Sequence, residues 1–174
     1  MSFDPALANA PGALRVEEGS VAHGARLVTT VPLRAGQLVH RITGYEVTPQ
    51  PTVYSIQVGP HAHADGLGPI AYLNHACDPS AAVDTEAMAL IALRELGIGD
   101  ELTFFYPSTE WEMSHPFVCR CGVPGCVRVV AGAKYLPADV LSRYFINRHV
   151  RELLLAAVSA PLPDHEPVEE PVPG

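Results

Sequence analysis

The chain has few of the features that membrane, secreted or nucleic-acid-binding proteins need. Its 174 residues contain no apolar run near the ~18–20 residues that a membrane-spanning helix requires. No N-terminal segment combines basic residues with a following apolar stretch, so an oxidising, disulfide-forming compartment has no support. A net charge of −8 disfavours the basic face that nucleic-acid binding normally uses. These absences predict an intracellular, non-secreted protein that binds neither a membrane nor nucleic acid directly.

Lysine is nearly absent as well, since Lys134 is the single lysine of the chain. An acidic protein suits a basic peptide partner, because opposite charge steers the encounter. Half of the net charge, however, lies in residues 159–174, a stretch rich in proline and acid that contains no Lys or Arg. We therefore predict an acidic tail over residues 159–174. The rest of the chain carries only the other half of the net charge, so it supports electrostatic steering of a basic peptide weakly.

The composition predicts one mainly β domain. Hydrophobic residues make up 48% of the chain, and 17 prolines and 14 glycines divide it into short segments. Alternating or β-branched residues predict strands at Leu27–Val31, Leu38–Ile42, Val53–Val58, Ala87–Leu93 and Glu101–Tyr106. Apolar residues at helical spacing predict one helix over Ala138–Val158, with Pro137 before it and Pro161 after it.

Two sets of potential metal ligands occur in the chain. His61, His63 and Asp65 alternate in a segment bounded by Gly and Pro, which favours a solvated loop over a metal site. The four cysteines are more informative, because Cys-x-Cys-x4-Cys at 119–126 places three thiols on one tight turn. A structural zinc takes four such ligands, and Cys77 is the one cysteine left to complete the set. Two disulfides or four inert buried thiols are the alternatives that the spacing leaves open.

Three motifs, in order, resemble the SET-domain family of protein lysine methyltransferases. Asn-His-Ala-Cys-Asp-Pro at 74–79 is similar to the family's Asn-His-Ser-Cys-Asp-Pro core. Glu-Leu-Thr-Phe-Phe-Tyr at 101–106 is similar to its Glu-Leu-Thr-Phe-Asp-Tyr strand end, and the cysteine run at 119–126 to its post-SET zinc cluster. The resemblance extends from about residue 24 to about residue 135, with no pre-SET cysteine cluster before it.

The resemblance implies a SET-type fold: several small sheets, a pseudoknot at the active site, a post-SET zinc loop and a C-terminal helical segment. The corresponding boundaries are 12–118 for the SET domain, 119–136 for the zinc loop, 137–158 for the helical segment and 159–174 for the tail. It also implies methyl transfer from S-adenosylmethionine to a lysine side-chain amine, with S-adenosylhomocysteine as the product.

The resemblance further implies a role for individual residues. Tyr106 is the catalytic residue, with its hydroxyl at the point where amine and methyl group meet. The cofactor-binding residues are Gly24, Ala25, Arg26, Tyr54, Asn74, His75, Trp111 and Phe117. The substrate channel is lined by Tyr54, Phe104 and Tyr106, and one zinc is bound by Cys77, Cys119, Cys121 and Cys126. Trp111 and Phe117 either stack near the cofactor adenine or pack under the zinc loop.

Methyl transfer to an amine is a direct displacement that needs a neutral amine, in line with the methyl group and shielded from water. Aromatic channel walls suit it, because an apolar surrounding lowers the pKa of a lysine amine. Phe104 occupies a position where relatives switch between Phe and Tyr, and Phe permits more than one methyl. The expected partner is a lysine-containing protein or peptide. One alternative is a substrate that is a small amine or biosynthetic intermediate. The other is an inactive interaction module, because Arg26 replaces the second glycine of the family's Gly-x-Gly cofactor loop.

Overall fold

The computed structural model describes residues 12–18 and 24–159, and these form many short strands and two short α-helices. The strands are β1 (Leu14–Glu17), β2 (Arg26–Thr29), β3 (Leu38–Arg41), β4 (Glu46–Thr48), β5 (Ile56–Gly59), β6 (Ala62–Asp65), β7 (Asn74–His75), β8 (Ala81–Asp84), β9 (Ala89–Ala92), β10 (Thr103–Phe104), β11 (Phe117–Val118) and β12 (Val129–Val130). The α-helices are α1 (Ala138–Leu141) and α2 (Arg148–Ser159), and short 3₁₀-helices span Gly68–Tyr72, Tyr106–Ser108 and Ala133–Tyr135. Frequent glycine and proline keep each element short, and the predicted mainly β fold is confirmed.

The strands form five small sheets rather than one large one. Two are three-stranded and antiparallel, in the orders β3-β9-β8 and β4-β6-β5. β1 pairs with β2, and β11 with β12, also antiparallel. β7 and β10 pair in parallel, with Thr103 opposite Asn74 and Phe104 opposite His75. This parallel pair joins two of the three sequence motifs at the level of the backbone.

The segment 101–106 lies between an early strand and the Asn-His segment. The Leu102 N–H donates to the Leu27 carbonyl of β2 at 2.8 Å, and the Ala76 N–H donates to the Phe104 carbonyl at 3.0 Å. Three stretches that are distant in sequence therefore share one hydrogen-bonded crossing. This is the arrangement that the predicted pseudoknot requires.

The main core combines residues of this crossing with residues of both three-stranded sheets. Leu27, Ile70, Leu90 and Leu102 are almost completely buried there. Each such side chain contributes roughly 1.5–3 kcal/mol when it leaves water, so the core holds the crossing in place. A second apolar cluster joins residues 141–150 to the segment 101–106. In it, Phe105 packs against Leu141, Ile146 and Val150.

The single helix predicted over 138–158 is wrong, because residues 142–147 separate α1 from α2. Asn147 is buried in this break, and its amide group donates to the Val83 and Ser108 carbonyls at 2.9 and 3.0 Å. Its Oδ1 accepts a hydrogen bond from the Thr85 N–H at 2.9 Å. Leaving such buried groups unpaired costs ~1–3 kcal/mol each, which outweighs the continuity of a helix. The predicted tail beyond Ser159 lies outside the described residues.

The prediction of a solvated loop at His61, His63 and Asp65 is also wrong. Residues 62–65 form β6, and His63 is buried while His61 is exposed. Burial lowers the pKa of His63, so its ring is neutral at neutral pH. In the described part of the chain, the one group of side chains suited to a metal ion is the four-cysteine cluster.

No helix among the described residues has the length and apolarity that crossing a membrane requires.

Gly132 connects the zinc loop to the C-terminal segment in a conformation that only glycine adopts readily. Its φ is +116°, and a Cβ there would lie 2.7 Å from the Trp111 carbonyl carbon and 2.9 Å from the Glu112 Cα. Gly132→Ala is expected to lower the free energy of unfolding by at least ~2 kcal/mol, through strain and backbone displacement. Urea denaturation measures this, with Gly97→Ala as the control because a Cβ at Gly97 meets nothing closer than 3.7 Å. Equal midpoints for the two variants would contradict the prediction.

Candidate active site and zinc site

The four cysteine sulfurs lie together and fit one zinc ion. All are within 4.8 Å of one another, and the sulfurs of Cys77 and Cys119 are 3.8 Å apart. A tetrahedral zinc with Zn–S bonds of ~2.3 Å has sulfur–sulfur edges of about 3.8 Å. The cluster therefore suits a four-thiolate structural ion that leaves no position open for water.

The zinc loop is shaped by the hairpin of β11 and β12. The Cys119 N–H donates to the Arg128 carbonyl at 2.7 Å, and the Cys126 N–H to the Val123 carbonyl at 3.0 Å. Burial raises the pKa of Cys77, whereas the Val123 backbone N–H lowers the pKa of Cys121 to about 7. Since zinc binds thiolates, its binding releases protons and strengthens as the pH rises.

The His75 side chain connects the four-cysteine cluster to the segment 101–106. Its Nδ1 accepts a hydrogen bond from the Tyr106 backbone N–H at 3.3 Å, and its Nε2 lies 3.2 Å from the Cys77 sulfur. Burial lowers the pKa of His75 to about 4, so the ring is neutral. An acceptor role for Nδ1 leaves the proton on Nε2, which then donates to the sulfur. The imidazole thus orients a zinc ligand and supports the backbone of Tyr106.

The Asn74 side chain connects the predicted cofactor loop at residues 24–26 to the segment 101–106. Its side-chain amide donates to the Ala25 carbonyl at 3.2 Å and to Glu101 Oε1 at 2.9 Å. Gly24 adopts a φ of +61°, and a Cβ there would meet nothing within 4 Å. The structure therefore brings Gly24, Ala25 and Asn74 to one place, beside the parallel β7–β10 pair. An open glycine turn next to convergent polar groups fits a bound cofactor.

Arg26 stands where the family has glycine, and its side chain is held by a strand partner. Glu17 lies opposite Arg26 in the β1–β2 pair and accepts a hydrogen bond from the guanidinium at 2.8 Å. The two arginines Arg15 and Arg26 beside Glu17 lower the pKa of that carboxyl. The guanidinium is thus engaged with β1.

Tyr106 borders a cavity of about 170 Å³. Its hydroxyl donates to the Leu73 carbonyl at 2.8 Å, which leaves the lone pairs of the phenol oxygen free to accept. Burial raises the pKa of Tyr106 to about 12, so the phenol is neutral and cannot act as a base near neutral pH. It can instead orient an amine by accepting a hydrogen bond from it.

Aromatic side chains form much of the wall of this cavity. The Phe104 and Phe117 rings lie 4.8 and 6.1 Å from the Tyr106 ring, and Tyr54 is more than half exposed. The wall also includes Ile56, Ile70, Ala71, Leu73, Glu110, Met113 and His115. The structure thus brings together the three predicted channel residues, and it adds Phe117, which lies just before the zinc loop and was predicted to stack near the cofactor or to pack under that loop.

Trp111, predicted to stack near the cofactor adenine or to pack under the zinc loop, lies against the second apolar cluster. Its ring belongs to the apolar cluster around Phe105 and Ile146, and it is not among the residues that line the cavity. Its backbone N–H donates to Gln57 Oε1 at 2.8 Å. Trp111 therefore holds the C-terminal segment and β5 together.

Glu110 is a cavity residue that the sequence reasoning missed. Its Oε1 accepts hydrogen bonds from the Gln57 N–H at 2.9 Å and from the Thr109 hydroxyl at 3.1 Å. Burial raises the pKa of Glu110 to about 7 despite these two donors. The available signal was its position four residues after Tyr106, but a single carboxyl at that distance has no recognisable motif.

Two departures from the family motifs have structural partners. Phe105, where Asp is usual, stacks on Tyr144 with ring centroids 3.7 Å apart and planes 6° apart. The Tyr144 hydroxyl donates to the Cys77 carbonyl at 2.8 Å. Ser80, where Asn is usual, accepts from the Thr103 N–H and donates to the Glu101 carbonyl, both at 2.9 Å. Phe105 thus connects Tyr144 to the segment 101–106, and Ser80 connects the end of the Asn-His motif to the same segment.

Comparison with known proteins gives the same family. The SET domain family model matches residues 24–107. A curated relative, the protein named Methyltransferase flvH of Aspergillus flavus, is 41% identical over 146 residues, covering 83% of this chain and 82% of that protein. The match thus extends through the zinc loop and spans most of both proteins.

Solved structures of KRYPTONITE share the fold. One, in complex with mCHH DNA, H3(1–15) peptide and SAH, has a TM-score of 0.50 and 22% identity over 67% of this chain. Another, with mCHG DNA and SAH, has a TM-score of 0.52 and 20% identity over the same share. This chain spans less than a third of those chains, 29% and 28%. Since both complexes contain DNA, they lend no support to the predicted absence of nucleic-acid binding.

The order of the motifs, the crossing at β7 and β10, the four-cysteine cluster and these matches agree with one another. The chain belongs to the SET-domain family of S-adenosylmethionine-dependent methyltransferases.

Proposed function

We propose that this protein transfers a methyl group to the side-chain amine of a lysine in a protein or peptide. The observation that supports this is the cavity beside Tyr106, with aromatic walls and a phenol oxygen able to accept from an amine. A lysine side chain is a narrow apolar stem with a polar end. Phe104, Phe117 and Tyr54 suit the stem, and the Tyr106 oxygen suits the end.

The chain's own residues position the amine. The Tyr106 hydroxyl is fixed by its bond to the Leu73 carbonyl, so its lone-pair direction is set before a substrate binds. The apolar walls exclude water and favour the neutral amine. Bound S-adenosylmethionine supplies the methyl group, and the residues proposed to hold it are Gly24, Ala25, Asn74 and His75. Most of the acceleration then comes from holding two reactants at roughly 3–3.5 Å in line.

A small-molecule amine is the second candidate substrate, because the cavity is compact. At about 170 Å³ it can enclose a short alkyl amine, with no need for a peptide backbone outside. The third possibility, an inactive module, depends on Arg26 blocking the cofactor loop. The pairing of Arg26 with Glu17 speaks against it, since that contact holds the guanidinium on β1.

Titration of the zinc-loaded protein with S-adenosylhomocysteine, followed by a methyl-transfer assay, tests the proposal. We expect micromolar or tighter binding, and mass increments of one or more methyl groups on a lysine peptide. The H3(1–15) peptide that a KRYPTONITE structure contains is a suitable first probe, and n-butylamine represents small amines. Phe104 leads us to expect more than one methyl. Automethylation background is confined to Lys134 and the chain's N-terminal amine.

The outcomes separate the three candidates. Transfer to lysine-containing peptides and proteins but not to n-butylamine supports the proposal, and the reverse pattern supports a small-amine enzyme. A folded, zinc-loaded protein that does not bind S-adenosylhomocysteine would be an interaction module instead.

A further inference from the structure

Glu110 brings a carboxyl group to a cavity that is otherwise largely apolar. It lines the same wall as Tyr54, Phe104 and Tyr106. Its backbone N–H donates to the Tyr106 carbonyl at 3.0 Å, so the two residues are one turn apart. Burial raises the pKa of Tyr106 most, and the nearby Glu110 charge raises it further.

The carboxyl is held in place by one oxygen and leaves the other unused. Oε1 accepts from the Gln57 N–H and the Thr109 hydroxyl, so its position is fixed from two sides. Oε2 makes no hydrogen bond with any residue in the ranges that the structure describes. Oε2 is also not fully buried, so solvent can reach it. Oε2 is the oxygen available to a ligand in the cavity.

The surroundings offer Glu110 no cation. Among the residues that the structure describes, no Lys or Arg lines the cavity, and the other titratable groups there are Tyr54, Tyr106 and His115. On the elements packed behind it, burial lowers the pKa of His63 and of His149, so both rings are neutral. The negative charge of Glu101 also acts on Tyr106. A positively charged ligand is therefore the natural partner of the Glu110 carboxylate.

We propose that Glu110 binds the ammonium group of the substrate through Oε2 and accepts one of its protons before methyl transfer. This rests on the proposed function, since it presumes an amine substrate. In this step one N–H bond of R–NH₃⁺ breaks and an O–H bond forms, giving R–NH₂ and the neutral carboxylic acid. The amine nitrogen then forms its bond to the methyl carbon as the carbon–sulfur bond breaks. Glu110 returns its proton to water when the methylated ammonium leaves.

Several properties of Glu110 suit this role. A pKa of about 7 lies close to a neutral operating pH, where a general base works best. Tyr106 is too weakly acidic to supply a phenolate and can orient the amine, whereas Glu110 can take its proton. The two residues thus divide the work of positioning and deprotonation.

Glu110→Gln is the informative variant, because glutamine keeps the shape and the acceptor for Gln57 and Thr109 but cannot take a proton. Glu112→Gln is the matched control, since Glu112 lies two residues away, is exposed and pairs with Lys134 outside the cavity. We expect E110Q to bind S-adenosylhomocysteine like the wild type and to lower kcat/KM at pH 7 by ~10²–10⁴-fold. The deficit is expected to shrink as the pH approaches the pKa of the free amine, about 10.4 for lysine, where solvent removes the proton.

Amine binding is measured independently of turnover. With enzyme saturated by S-adenosylhomocysteine, E110Q is expected to bind n-butylammonium or a lysine peptide at least ~10-fold more weakly than wild type and E112Q. A wild-type rate for E110Q, a deficit of the same size at every pH, or unchanged amine binding would each overturn the inference. Wild-type enzyme that binds the amine through Glu110 but transfers no methyl would instead overturn the proposed function.

Discussion

Cys121→Ser is expected to abolish stoichiometric zinc binding and, with it, the ordered zinc loop and high-affinity S-adenosylhomocysteine binding. Cys121 is exposed, and substitutions of exposed residues without special contacts change stability by about 0.5 kcal/mol or less. As a zinc ligand, however, it contributes to a binding free energy of ~10–16 kcal/mol, which is comparable to the whole stability of a domain. Cys121→Ser therefore changes the stability negligibly if Cys121 is an ordinary exposed residue, and severely if it is a zinc ligand.

The expected damage extends to the active site because the segment that leads into the zinc loop forms part of the cavity wall. Met113, His115 and Phe117 line the cavity and lie between Tyr106 and the first loop cysteine. Tyr106 and Met113 also pack against the cluster of Cys77, Cys119 and Val130. Without zinc, this wall loses its support.

Metal analysis, thermal unfolding and calorimetric titration measure the result. Arg120→Ser is the control, because Arg120 is the exposed neighbour of Cys121 in the same loop. A strong chelator added to the wild type should reproduce the Cys121→Ser phenotype. Full zinc occupancy and an unchanged Tm in Cys121→Ser would show that the cluster is not a four-thiolate site.

Tyr106→Phe is expected to lower kcat by ~10²–10³-fold while cofactor binding and folding persist. Phenylalanine retains the ring contacts with His75 and Phe104 but removes the hydroxyl that bonds to Leu73. The amine then loses its acceptor, and the Leu73 carbonyl loses its donor. The effect should fall on kcat more than on the dissociation constant of S-adenosylhomocysteine, because that ligand carries no reacting methyl group.

Single-turnover methyl transfer to a lysine peptide, with parallel calorimetry, measures this split. Tyr72→Phe is the matched control, since Tyr72 lies 6.3 Å from Tyr54 by ring centroids but does not line the cavity. If Tyr106→Phe transferred methyl as fast as Tyr72→Phe, the hydroxyl would have no part in the reaction.

Local patterns predicted the strands better than they predicted the helix. Each of the five predicted strand regions overlaps an observed strand, because β-branched and alternating residues mark them. Strands as short as β7, β11 and β12 have no periodicity of their own and arise from tertiary pairing. The helix over 138–158 had the right apolar spacing, but the buried Asn147 satisfied its hydrogen bonds with Val83, Thr85 and Ser108 instead.

The sequence by itself determined the family and the mainly β architecture, and it marked the four cysteines as candidate zinc ligands, because these depend on ordered motifs and on the number of thiols in the chain. The tertiary structure alone decided which further side chains share the cavity with the three predicted channel residues. Glu110 and Phe117 lie far from Tyr54 in the sequence, and the folded chain brings all three to one cavity wall. The fold also placed Trp111 against the cluster around Phe105, placed Phe117 on the cavity wall, and largely buried the Glu110 carboxyl. Burial and proximity are properties of the folded chain, and they set the chemistry of a carboxyl that no sequence motif marked.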